Sequence, residues 1–164
     1  MKKIKQHGYT LIELLIYMGI FSILIISLFQ LFTSILDSQA ESDTTASVSE
    51  DGKFLLSRLS YDIQQSSAIT TPASIGSSGN SLQLTIAGIN YTYTVNNGNL
   101  VLTNSLEANA PLNGYNTTVS NVSFTRLGNT TGKQVITLTF TLTSKTTRQS
   151  GPEVKTFQTT IGVR

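Results

Sequence analysis

The stretch QHGYTLIELLIY, Gln6 to Tyr17, holds two residues that could do chemistry: a lone glycine, Gly8, and a single carboxylate, Glu13, at the head of an apolar run. Glycine suits a cut in the backbone. It has no side chain to crowd a peptidase, and it weakens local helix by about 1 kcal/mol, which keeps the peptide extended and accessible. It equally suits a plain flexible joint before a helix. A carboxylate beside a membrane-length segment suits charge pairing. At the bilayer centre it costs about 2.5–3.5 kcal/mol, whereas near the interface it reaches water cheaply.

Elsewhere the side chains offer little reactive chemistry. The one histidine, His7, lies in the same stretch, and the chain has no cysteine. Beyond Gly8 neither residue type occurs, which excludes Ser-His-Asp and Cys-His arrangements and the usual zinc ligand sets. The many serines and threonines have no evident activating base. Glu41/Asp43 and Glu50/Asp51 fall on a predicted helix, lack the loop format of a calcium site, and read as a solvated face. Tyr9, Tyr17, Tyr61, Tyr91, Tyr93 and Tyr115 do not interleave with basic residues into a base-stacking strip. Asn90-Tyr91-Thr92 and Asn129-Thr130-Thr131 match the glycosylation sequon, a pattern frequent by chance. The expectation is a protein that is not an enzyme and needs no metal or cofactor.

Charge points the same way. Of eleven basic residues, Lys2, Lys3 and Lys5 sit in the first five positions, leaving eight basic against nine acidic side chains. Without a clustered basic face to neutralise phosphates, no nucleic-acid partner is expected. The lack of cysteine excludes disulfides but does not define a compartment.

Glu13 is followed by 23 residues without a charge, Leu14 to Leu36. A bilayer core needs roughly 20 apolar residues in helical form, so this run is long enough to span it. Lysines precede it, while Asp37, Glu41 and Asp43 follow. That asymmetry places the N-terminus in the cytoplasm and the rest outside. One reading is a secretory signal peptide cut near Ser38-Gln39-Ala40, although such peptides have apolar cores of only about 7–15 residues. Another is an uncleaved signal anchor tethering an extracytoplasmic binding module.

A third reading comes from the motif Gly8-Tyr9-Thr10-Leu11-Ile12-Glu13, which resembles the processing site of type IV prepilins and pseudopilins. In that family a short basic leader ends in glycine, followed by an aromatic residue, usually Phe, then Thr-Leu-Ile-Glu and an apolar helix. Tyr9 keeps the aromatic ring. The resemblance implies cleavage between Gly8 and Tyr9 by a membrane prepilin peptidase and N-methylation of Tyr9. It implies that Glu13, then the fifth residue of the mature chain, pairs with the N-terminal amine of a neighbouring subunit. Methylation keeps the charge of that amine. The implied partners are the peptidase, other pilin or pseudopilin subunits through their N-terminal helices, and an inner-membrane assembly platform. The implied setting is a type II secretion pseudopilus or a type IV pilus, entered from the cytoplasmic membrane.

The helix is expected to continue past the membrane, from about Thr10 to about Ser66, roughly 85 Å at 1.5 Å per residue. Leu55, Leu56, Leu59 and Ile63 form an apolar stripe on its second half. Asp43-Thr44-Thr45 and Gly52 are the expected weak points, where it would bend. Ile69 to Ser81 reads as a loop. Strand-like alternation follows at Leu82–Ile86, Tyr91–Val95, Leu100–Thr103, Val119–Leu127, Gln134–Thr143 and Val154–Val163, with turns at Ala87-Gly88-Ile89-Asn90 and Asn96-Asn97-Gly98-Asn99 and an irregular connection from Asn104 to Asn116. Within Gln134–Thr143, Val135, Leu138, Phe140 and Leu142 mix alternation with a slip. Six mostly antiparallel strands packed on the amphipathic half of a long N-terminal helix make an α+β, pilin-like fold. Four parts are expected: leader 1–8, membrane helix 9–36, amphipathic helix 37–68 and β-rich domain 69–164. NVSFTRL, QVITLTFTLTS and FQTTIGVR, together with LSRLSYDIQQSSAIT, resemble minor pseudopilins of the J type and pilus proteins of the PilW type. Gln30 stands where many major pilins have a kinking proline, and no cysteine pair closes a C-terminal loop, so a minor subunit is expected.

Overall fold

The computed structural model describes residues 9–105, 108–129, 132–148 and 150–163. The expected leader, 1–8, lies outside the described residues, and so does Gly8. One helix, α1, runs Leu11–Gln65. The chain divides into two units, one ending at Gln39 and the other spanning Ala40–Arg164.

In the first unit α1 is apolar on every side, and none of its most hydrophobic 18-residue window is buried. By length and composition it can cross a membrane. Three of its hydroxyls are satisfied within the helix. Ser22 Oγ donates to the Met18 carbonyl at 2.7 Å, Ser27 to Ile23 at 3.1 Å and Thr33 to Gln30 at 3.0 Å. A hydrocarbon core supplies no other acceptor.

In the second unit α1 becomes one-sided. Val48, Leu55, Leu59 and Ile63 are fully buried, while Leu56 sits at the edge of the stripe. Neither expected weak point breaks the helix. Thr44 Oγ1 donates to the Glu41 carbonyl at 3.0 Å and Ser47 Oγ to that of Asp43 at 2.8 Å, so the hydroxyls are absorbed by the helix itself. Gly52 has a packing task instead: a Cβ there would lie 2.1 Å from Cζ of Phe157. The Phe157 ring stacks on Phe140 with centroids 5.3 Å apart. Gly52→Ala is therefore expected to destabilise by about 1–3 kcal/mol through overpacking, despite alanine's better helix propensity. Thermal unfolding measures this, and in a Phe157→Ala background the penalty should vanish.

The strands are β1 (Ala68–Thr71), β2 (Ser78–Gly79), β3 (Leu82–Ile86), β4 (Ile89–Asn96), β5 (Asn99–Thr103), β6 (Ala110–Pro111), β7 (Thr117–Gly128), β8 (Gln134–Arg148) and β9 (Gly151–Gly162). They form two sheets, ordered β1-β3-β4-β5-β6 and β2-β7-β8-β9. All pairings are antiparallel. The six expected strands are present, but β1, β2 and β6 fall in stretches read as loop. Two turns match expectation. Ala87-Gly88 joins β3 to β4, and Asn97-Gly98 joins β4 to β5, each with both central residues at positive φ. The Val119 amide donates to the Gly98 carbonyl at 2.7 Å and links the sheets. In β8 the buried apolar residues are Ile136, Leu138, Phe140 and Leu142, a regular alternation. The expected slip came from counting Val135, which is not in that set. Both sheets meet α1 in one core, through Leu82, Leu84 and Tyr93 from the first and Phe124, Leu138 and Phe140 from the second.

Among the described residues, one charged group is buried in that core. Asp62 is only 4% exposed. It accepts from Arg58 Nε at 2.7 Å and from the Tyr93 hydroxyl. The hydrogen bond to Asp62 raises the Arg58 pKa. Burial, and then the bond to Asp62, pushes the Tyr93 hydroxyl well above its ordinary value of 10.0. A raised folded-state pKa means that folding retains the phenolic proton. The resulting stability is complete below the unfolded value, about 10, and is lost as pH rises above it. Tyr93→Phe is expected to cost about 1.5–3 kcal/mol at neutral pH, because it removes a hydrogen bond to a charged group. It should also flatten the fall in stability above pH ~10. Denaturant unfolding at two pH values checks both effects.

Candidate assembly and processing site

Tyr9 and Thr10 precede the helix, and α1 begins at Leu11. Thr10 is its N-cap: the Leu14 amide donates to the Thr10 carbonyl at 3.1 Å. The Glu13 amide donates to Thr10 Oγ1 at 3.4 Å, and the Thr10 amide donates to Glu13 Oε2 at 3.4 Å. These reciprocal contacts form a capping box, in which Thr at the N-cap and Glu three residues on satisfy two otherwise orphaned amides. The carboxylate also lies at the positive end of the helix dipole.

Glu13 therefore has a role within its own chain, distinct from the one expected of it between chains. Its sequence signal, Thr-x-x-Glu before an apolar run, was present in Thr10-Leu11-Ile12-Glu13. Reading Glu13 only as a charge overlooked it. Glu13 is partly covered. Tyr9 is 77% exposed, and its ring meets that of Tyr17 edge to face, with centroids 6.3 Å apart and planes at 84°. The expected cut thus falls two residues ahead of a capped helix, since Tyr9 and Thr10 precede its first residue, Leu11.

The acidic pairs are more engaged than a solvated face would be. Asp51 accepts the Gly114 amide at 2.9 Å and the Thr117 hydroxyl, tying the segment before β7 to the helix. Glu41 lies 3.5 Å from Arg148, which also pairs with Glu153 at 2.7 Å.

Residues 3–29 match the family model described as the prokaryotic N-terminal methylation motif. The match begins in the stretch expected to be a leader and ends within the apolar part of α1. The methylation motif thus contains Gly8, Tyr9, Thr10 and Glu13 together. No curated protein and no solved structure matches the chain. With an apolar helix long enough to cross a membrane, the motif supports a pilin-like or pseudopilin subunit anchored by one segment. It also implies processing by a peptidase and assembly with other pilin subunits.

Proposed function

We propose that the chain is a minor pilin or pseudopilin, cut between Gly8 and Tyr9, methylated at Tyr9, and built into a short filament through its N-terminal helix. The observation that carries this reading is the methylation motif over residues 3–29, followed at once by a membrane-length helix. The cut generates a cationic amine two residues before the capped helix. Glu13 supplies the opposite charge to that amine on a neighbouring subunit. In a water-excluding filament core such a pair would set the axial register of subunits. The globular domain would be carried outside the cytoplasmic membrane. A type II secretion pseudopilus is the favoured setting, and the strand pattern from Asn121 to Arg164 favours a J-type or PilW-type position in it.

No catalytic step is assigned to the chain; the assembly's ATPase supplies the work. The test is fractionation of cells that also express the peptidase and sibling subunits. The chain should sediment with sheared filaments. Retention entirely in the membrane under assembling conditions would contradict the proposal.

A further inference from the structure

β9 lies at the edge of its sheet, beside β8, and is 12 residues long. Its phase against β8 is fixed by the Val163 amide, which donates to the Gln134 carbonyl at 2.9 Å. Hydrogen-bonded pairs alternate along an antiparallel ladder, so Phe157, Thr159 and Ile161 bond to Phe140, Leu138 and Ile136 of β8. Thr156, Gln158 and Thr160 therefore turn their amides and carbonyls away from the sheet, and all three residues are exposed.

Edge strands invite pairing with foreign chains, and folds blunt them by shortness, proline, charge or irregularity. Among the described residues the other edges are blunted. β2 and β6 have two residues each, and β6 includes Pro111. β1 has four, with a register irregularity between Ile69 and Thr71. β9 uses none of these devices over residues 156–162, a run rich in β-branched residues without charge or proline. Lys155, which could guard the edge, lies over the Phe157 ring, 5.5 Å from its centroid, and Glu153 pairs with Arg148 at 2.7 Å. Such a segment has the composition of a strand that pairs on both sides. A strand laid beside it, about 4.8 Å away, would continue two different surfaces. On the outer surface Thr156 and Thr160 share hydroxyl hydrogen bonds with Thr141 and Thr137, at 3.0 and 3.1 Å. On the surface facing the core lie Phe157, stacked on Phe140, and the buried Ile161.

We propose that β9 accepts an extended, uncharged strand donated by a different polypeptide, with hydroxyl side chains beside Thr156, Gln158 and Thr160 and apolar ones beside Phe157 and Ile161. Main-chain hydrogen bonds to the three outward residues hold the strand, and the alternation of its side chains selects it. It runs antiparallel, as every pair in this sheet does, which is the more stable arrangement per residue. A second copy of this chain is the poorer occupant. Antiparallel pairing of β9 with itself needs a two-fold axis normal to the sheet, which reverses the stretch of α1 packed on that sheet. The helix ends that lead to the two apolar segments would then point in opposite directions, unsuited to one membrane. The choice of partner thus rests on membrane anchoring, whereas the pairing itself is independent of filament assembly.

The test uses the full chain in lipid nanodiscs and the synthetic peptide VITLTFTLT, flanked by lysines for solubility, because β8 shows that this alternation pairs with β9. Amide hydrogen exchange is followed by NMR as the peptide is added. Saturable binding is expected, with exchange slowed at Thr156, Gln158 and Thr160 and unchanged at Phe157, Thr159 and Ile161, which already bond to β8. The same peptide N-methylated at its threonines, whose amides would face β9, should not bind. Gln158→Pro should weaken binding at least about tenfold, because it removes an outward N–H and leaves the ladder with β8 intact. Should that variant fail to fold, the methylated peptide decides alone. Absence of binding, slowed exchange in both sets of amides or in neither, binding of the methylated peptide, or undiminished binding to folded Gln158→Pro would each overturn the proposal. So would slow exchange at the three outward amides in the free chain that is lost on dilution, the mark of a second copy on β9.

Discussion

Glu13→Val and Glu13→Gln should both leave the chain inserted in the membrane and remove it from filaments. The two substitutions separate the helix cap that the structure shows at this side chain from the inter-subunit charge pair proposed for it. Glutamine can still accept the Thr10 amide, so Glu13→Gln keeps the capping box and removes only the charge. Valine removes both. Loss of the cap costs about 0.5–2 kcal/mol at the start of a helix that the membrane would stabilise anyway. Loss of the charge leaves a neighbouring subunit's amine buried without a partner, at about 3–5 kcal/mol. Each 1.4 kcal/mol is tenfold, so incorporation should fall more than about a hundredfold in both variants. If Glu13→Gln assembles normally while Glu13→Val does not, Glu13 serves the cap and not the inter-subunit pair. Quantitative immunoblotting of sheared filaments against membranes reads either outcome.

Gly8→Val should block the pathway one step earlier. A β-branched side chain at the scissile residue adds bulk where the peptidase must close on extended backbone. A mismatch of only about 1.4 kcal/mol in the transition state slows cleavage tenfold. The uncut chain would retain Lys2, Lys3 and Lys5 and would have no amine at Tyr9 to offer a neighbour. Accumulation of the full-length form in the membrane, and its absence from filaments, is the expected result. Normal filaments built from uncut Gly8→Val chains would show that processing is dispensable.

These two predictions rest on the part of the chain that was most legible in the sequence. Gly8, Tyr9 and Glu13 lie within six positions, and the uncharged run after them spells out its own environment. The turns at Ala87-Gly88 and Asn97-Gly98 were legible for a similar reason, because turn chemistry is local. What depended on distant partners was not. Gly52 looked like a helix weakness because its reason, the Phe157 ring, lies in β9, far along the chain though adjacent in space. β1 was hidden in a Ser/Thr-rich stretch whose pairing of Ile69 with Leu84 no local pattern announces. The end of β8 was missed because Ser144 to Arg148 carry no apolar alternation, and a register irregularity between Thr143 and Thr147 interrupts the ladder. Asp62 was invisible as a core residue, since a lone acid on an amphipathic helix reads as solvent-facing until Tyr93 and Arg58 are placed beside it. In the candidate site the gap was of another kind. The spacing of Thr10 and Glu13 was in plain view, yet the charge drew the reading toward a neighbour's amine and away from the helix's own.

On the proposed function, the mature chain begins at Tyr9. Intact-mass and N-terminal peptide mass spectrometry of the protein, purified from membranes and from filaments of peptidase-positive cells, test it most directly. The expected species lacks Met1–Gly8 and carries a methyl group on the Tyr9 amine. A filament-borne chain that retains Met1, or one cut near Ser38-Gln39-Ala40 and so stripped of its apolar helix, would contradict it.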